Sequence, residues 1–436
     1  MFDILSLLQC LLFEIDETTM NQLNIVLTAM LAMSGRVTML GISRWAGKGG
    51  SYRTVQRLFA SQVPWPKMFW EFFRCHCWRS TNHYLLAGDE VVVTKSGKKT
   101  HGLGRFFSSL YDHPVLGLAF FELSLVSVEQ RHAFPLRTEQ VMRTEVKQKP
   151  VSLSKKKRGR PPGSKNQDKS QVTLNAELRQ IKGMILASLT LIERLFHLDY
   201  LLLDGKYGNN YAVQMARQVG LHLLSKLRHD SELYLPYQGS DRRCHYGERI
   251  KPRQMSQEFL VSSSTEEGIR TETYQVKNAL HKKFAQPLNL VIIVKTNLKT
   301  QAQAHVILFS TDLTLSYELL IDYYVLRFQI EFNFRDAKQF WGLEDFMNTS
   351  ETGVTNAANL SFFMVNVSHR LLRDFRLTNP LLSVLDLKAA FRGYKYAEEI
   401  LKLLPQKPNP ILLTSILTRV ANLGAIHPIP AAETTL

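Results

Sequence analysis

The chain has 436 residues, 45% of them hydrophobic, enough for a large core and for two or three domains. A formal net charge of +16 points to a polyanionic partner, either nucleic acid or an acidic membrane surface. No apolar run approaches the ~18 residues of a membrane span, and four cysteines form no disulfide framework. The expectation is therefore a cytoplasmic, nucleoid-associated protein with nucleic acid as its partner and no membrane.

The opening stretch, MFDILSLLQCLLFEIDE, has no basic run and is interrupted by Asp3, Glu14, Asp16 and Glu17, so it does not read as a signal peptide. Residues 1–80 read as a helical, basic region. Within 37–60 an apolar-periodic stretch, a glycine turn (Gly47, Gly49, Gly50) and a helix capped by Ser51 outline a helix-turn-helix. Ser51, Tyr52, Arg53, Gln56 and Arg57 would then stand where base edges are read; an ordinary helical hairpin fits the same outline. Cys75-His76-Cys77 lacks zinc-finger spacing and a second ligand pair, which argues against a zinc site.

From residue 83 the pattern turns to strands. HYLLAGD and EVVVTKSG read as two short strands joined at Asp89-Glu90, and HPVLGLAFFELSLVSV as a longer one or a pair. Residues 150–170 are rich in lysine, arginine, proline and glycine, too polar to fold alone. A helix is expected over about 172–197, then an apolar strand 200–203 ending at Asp204, a helix 209–219 and the strand LHLLSKL. Such an order suggests a mixed sheet covered by helices. Residues 230–310 read as β-rich, either an insertion or an extension of the sheet. After residue 355 two apolar helices, about 355–375 and 381–404, follow.

Between them lies YYVLRFQIEFNFRDAK (323–338), read as one helix. Steps of about 100° per residue gather Tyr324, Arg327, Glu331, Arg335 and Lys338 within a ~80° arc. Leu326, Ile330, Phe334, Ala337 and Trp341 form a separate apolar stripe suited to a core. The polar face is either a solvated one with ion pairs from Glu331 to Arg327 and Arg335, or a surface for a polyanion. Asp89 and Asp204 stand at strand ends, where each could simply cap a turn. Brought to one sheet edge with Glu331, they would instead suit two Mg²⁺ ions, which prefer oxygen ligands and act on phosphodiesters.

Two strand-end aspartates and a glutamate on a late helix form the layout of the ribonuclease H-like nucleotidyltransferases. The spacing Tyr324-x2-Arg327-x3-Glu331-x6-Lys338 resembles the signature of DDE transposases of bacterial insertion sequences, specifically the insertion sequence 4 family, over roughly residues 25–375. The resemblance implies an α/β fold: a ribonuclease H-like mixed-sheet catalytic core (81–229 and 311–375) with a β-rich insertion (230–310), a helical N-terminal DNA-binding region (1–80) and a helical C-terminus (376–436). It implies that Asp89, Asp204 and Glu331 are catalytic and bind two Mg²⁺, with Mn²⁺ able to substitute. Tyr324, Arg327 and Lys338 would hold phosphates of the transposon end; Arg335 is added from its face alone. The implied activity is binding of terminal inverted repeats, cleavage and strand transfer in cut-and-paste transposition, on double-stranded transposon-end and target DNA, by a homodimer in the synaptic complex. A nuclease without strand transfer and a silent DNA-binding derivative are the alternatives. Relatives that cleave through a hairpin stack a flipped base on an aromatic of the insertion; none of the five tryptophans lies there, leaving Tyr234, Tyr237, Tyr246 or Tyr274.

The linker SKKKRGRPPGSK (154–165) is either a solvated basic tract or an AT-hook. Arg158-Gly159-Arg160-Pro161 is an extended Arg-Gly-Arg slim enough for the narrow minor groove of A·T-rich DNA.

Overall fold

The computed structural model describes residues 3–108, 111–142, 168–241, 243–377, 379–406 and 408–428; Arg158 and Arg160 lie outside the described residues. The first 76 residues are helical: Ile4–Leu8 (α1), Glu17–Ala32 (α2), Met39–Trp45 (α3), Tyr52–Ala60 (α4) and Trp65–His76 (α5). Side chains of Asp16, Thr38 and Ser51 accept the free N–H groups that open α2, α3 and α4. Gly47 and Gly49 take φ of 69° and 85° between α3 and α4, a left-handed turn that a Cβ would resist. Val55, Leu58 and Phe59 of α4 are buried against α2 and α3. Ser51, Tyr52, Arg53, Gln56 and Arg57 remain exposed on its other side.

The sheet begins with Tyr84–Thr94 (β1), Gly104–Ser108 (β2), His113–Ser127 (β3) and His132–Val141 (β4). The two strands expected around Asp89-Glu90 are one. Its ladder with β3 runs without a break from Tyr84↔Ser127 to Thr94↔Gly117, so the polar pair interrupts the apolar pattern but not the hydrogen bonding. Ala176–Ile192 (α6) leads to Tyr200–Leu203 (β5), Asn210–Gln218 (α7) and His222–Leu227 (β6). β5 pairs parallel with β1, and β6 parallel with β5. The order β4-β3-β1-β5-β6, antiparallel on one side of β1 and parallel on the other, is compatible with a ribonuclease H-like core.

The segment 230–310 carries the same sheet onward. Leu233–Pro236 (β7), Tyr246–Ile250 (β8), Leu260–Glu266 (β9), Ile269–His281 (β10), Leu288–Asn297 (β11) and Gln303–Ser310 (β12) follow, and β12 pairs antiparallel with β6. β11 and β10 extend it further, so this stretch is hydrogen-bonded to the core rather than set apart from it.

The single helix expected over 323–338 is two, Tyr317–Leu326 (α8) and Gln329–Gln339 (α9). At the junction the N–H groups of Arg327, Phe328, Ile330 and Glu331 bond three residues back instead of four. The apolar stripe survives the break: Leu326, Ile330, Ala337 and Trp341 are fully buried and Phe334 nearly so. Glu351–Phe375 (α10) and Val384–Leu403 (α11) match the two late helices expected, and Pro410–Ala421 (α12) adds a third. These late helices close over the early ones. Asn356 on α10 donates to the carbonyls of Phe59 and Ser61 and accepts from the Trp65 indole; Lys388 on α11 donates to Met30 O. Among the described residues no helix is long and apolar enough to cross a membrane.

Candidate active site

Parallel pairing fixes the first two carboxylates. Gly88 of β1 stands opposite Leu203 of β5, so the next residues, Asp89 within β1 and Asp204 just past β5, stand at one level. β5 is a short, buried run, and Asp204 ends it by accepting from Lys206 N at 2.9 Å. Ser225 donates to the Asp204 carbonyl at 2.7 Å, and Gly208 lies so close to the Lys226 carbonyl that a Cβ would not fit. This turn is therefore held on both sides. Glu331 enters from the first turn of α9, whose apolar stripe is buried on the core.

Arg327, at the break between α8 and α9, joins them. Its Nη1 donates to Asp89 Oδ2 at 2.6 Å and its Nη2 lies 3.4 Å from Glu331 Oε1. The guanidinium is only 13% exposed, and its Nε is buried without a partner among the described residues. Burial pushes the Asp89 carboxyl up to about 6; Arg327 opposes that rise, while Asp204 and Glu331 add to it. Burial works against the charge of Arg327, but Asp89, Tyr324, Glu331 and Asp204 more than offset it and its pKa rises. The fields of all three carboxylates thus meet on one arginine. An all-oxygen donor set with excess negative charge suits a hard divalent cation. As the side chains stand, no group of three ligands among the described residues encloses a metal position, and Arg327 supplies the positive charge between Asp89 and Glu331.

Tyr324 is half-buried, with its ring centroid 5.8 Å from the Arg327 guanidinium; burial raises its pKa, and Arg327 opposes this. Lys338 donates to Val92 O of β1 at 2.9 Å and pairs with Glu344 at 3.1 Å, pinning α9 to the strand that carries Asp89. Arg335 is not brought to the cluster. It pairs with its neighbour Asp336 at 2.8 Å and stacks on Phe332, facing solvent. Arg53 and Arg57 belong to the exposed side of α4, apart from this cluster.

Two further groups near the site were not anticipated. Glu122 of β3 stands directly across the ladder from Asp89 and is fully buried. Its Oε1 accepts from Ser124, which in turn accepts from Asn333 of α9 at 2.9 Å, two residues past Glu331. Burial pushes Glu122 up to about 8, and its Oε2 has no partner among the described residues. The signal was present: a lone glutamate inside the apolar run LAFFELSLV has to be neutral or paired. Lys206, two residues beyond Asp204, bridges Glu90 and Glu177 at 2.7 Å each, tying the Asp204 turn to β1.

Residues 7–283 match the family described as DDE superfamily endonuclease. That stretch is more than half of the chain, and the protein belongs to this family. It contains Asp89 and Asp204; Glu331 lies beyond it. No curated protein matches the chain.

Proposed function

We propose that this endonuclease-family chain is a transposase of the insertion sequence 4 type, cutting and rejoining DNA at the terminal inverted repeats of its element. The observation that carries the reading is that Arg327 bridges Asp89 of β1 and Glu331 of α9, while Asp204, at the end of β5, stands at the level of Asp89 on the neighbouring strand. In this reading the three carboxylates hold two Mg²⁺ ions, or Mn²⁺ in their place. Held there, the ions would supply Lewis acidity for attack on a phosphodiester by a water or a 3′-hydroxyl.

The chain's own residues prepare the site in defined ways. Lys338 and the Glu122–Ser124–Asn333 chain fix α9 against β1 and β3, setting Glu331 against Asp89. Arg327 balances Asp89 and Glu331, and a backbone phosphate is a natural alternative partner for its fork. Tyr324 offers a hydroxyl beside it. Arg53 and Arg57 on α4 supply an exposed basic face for duplex DNA, and two ends brought together require at least two copies of the chain.

The test uses a labelled duplex carrying the inverted repeats that flank the reading frame, with Mg²⁺ and a supercoiled target. Cleavage at the repeat end followed by joining to target is the expected result. Cleavage without joining reduces the protein to a nuclease, and binding without cleavage to a silent derivative.

A further inference from the structure

A second site lies at the other end of β1. Arg79, just before the strand, Gln130 in the β3–β4 turn, and His369, Arg373 and Arg376 at the end of α10 line an open basin of about 460 Å³. Its size is that of a ligand pocket, and its walls are dominated by cations. None of the three arginines forms an ion pair among the described residues. Arg373 donates to His76 O and Arg376 to Leu382 O, both neutral carbonyls, and the Arg79 guanidinium has no partner among the described residues. Among the described lining residues the one carboxylate, Glu129, accepts from His83 N at 2.9 Å and lies 2.7 Å from His83 Nδ1.

Two more features belong to an incomplete site. The Gln130 side-chain Nε2 is a buried donor without a partner among the described residues. The rings of His132 and His369 stack at 3.8 Å, and both are held neutral by burial, with Arg376 pushing the same way. Three guanidiniums facing one basin repel one another, and an anion between them relieves that repulsion more than solvent does. Their planar forks match the tetrahedral oxygens of phosphate better than a point charge would.

We propose that the Arg79–Arg373–Arg376 basin binds a phosphate group, either a phosphodiester of duplex DNA or a free phosphate-bearing ligand. Arg79 precedes β1, and the start of that strand at Tyr84 is five residue steps, roughly 16 Å of extended chain, from Asp89. The proposal does not depend on the transposase reading.

Thermal denaturation of the full chain in inorganic phosphate, against chloride at equal ionic strength, is the first arm. Arg79→Gln and the double variant Arg79→Gln/Arg376→Gln are compared with the parent; Arg79 is exposed and unpartnered, so its single variant folds even if the double does not. Phosphate should raise the parent's melting temperature, with affinity about fivefold weaker in the single variant and stabilisation lost in the double. The second arm is the salt dependence of duplex binding. A slope of log affinity on log salt reduced by about one in the single variant, and by about two in the double, assigns the basin to the DNA backbone, whether or not free phosphate binds. Lost phosphate stabilisation with an unchanged slope assigns it to a free ligand. If phosphate affects parent and variants alike, or does no more than chloride, and the slope is unchanged, the basin is not a phosphate site.

Discussion

Along β1 the chain passes from a basin where three arginines pair with no carboxylate to a site where two carboxylates, Asp89 and Glu331, share one arginine beside Asp204 on the next strand. Both are charge imbalances left standing in a folded protein, and each has a different cost. At the carboxylate end the imbalance is half-buried, so it shifts a pKa and demands Arg327. At the arginine end it is open to solvent, where water and salt screen it. On the two proposals the pair is complementary: negative charge concentrated for divalent cations, and positive charge distributed for phosphates.

The sharpest break in that comparison comes from the carboxylates. Asp89→Asn, Asp204→Asn and Glu331→Gln should each lower divalent-dependent cleavage by roughly a hundredfold or more while leaving duplex affinity nearly intact. Single-turnover cleavage and a binding titration on the same substrate check this, and a variant that cuts at the parental rate removes that residue from the site.

Next in size is Arg327→Met. It leaves Asp89 buried without its cation, at a cost of about 3 kcal/mol near pH 8. The cost should shrink toward pH 5. Asp89 already sits at about 6 with Arg327 present and rises further without it, so below that range it takes a proton and no longer needs the guanidinium. Urea denaturation at the two pH values decides; an equal loss at both would mean that the pair is not what stabilises Asp89.

Glu122 gives an effect of defined sign, spread over several pH units. Its folded value of about 8 exceeds the ordinary 4.5, so the native state keeps a proton that the unfolded chain releases. Its contribution is fully present below about pH 4.5 and is lost as pH rises through 8, on the order of 1 kcal/mol per unit in that window. Glu122→Gln should be flatter than the parent between those limits. Parallel stability curves would place an ionised Glu122 in the core.

The smallest effects belong to exposed cations. Arg53→Ala and Arg57→Ala should each reduce the salt slope of duplex binding by about one if α4 lies on DNA. Changing Arg158 and Arg160 to Ala should weaken binding to A·T-rich duplex more than to G·C-rich duplex, because the guanine amino group obstructs the minor groove. Equal losses on both duplexes would leave only a basic tether.

What could be read in advance follows from how local each signal is. Asp204 was legible because YLLL is wholly apolar and then stops at an Asp-Gly turn. The buried stripe Leu326, Ile330, Phe334, Ala337 and Trp341 was legible because period alone determines it. Asp89 was misplaced at a strand end because the ladder that carries β1 through it is made by β3, some thirty residues away. The break at Arg327 carries no glycine or proline to announce it, and Arg335 was assigned to the site by its azimuth although Asp336 holds it outward. β2 and β4 were missed, and so was the arginine basin, since Arg79 and Arg376 come together only through α10 packing along β4.

The way α10 and α11 close over α2, α4 and α5 bears on how the molecule is made. Asn356 reaches carbonyls nearly 300 residues earlier and Lys388 one 358 residues earlier, so the early helices find their final neighbours only after most of the chain has been synthesised. Contacts of such sequence separation make folding slow and expose apolar faces on the ribosome. They also impose an order. Glu331 joins Asp89 and Asp204 late in translation, so on the proposed reading a nascent chain whose early helices are already out lacks a complete site.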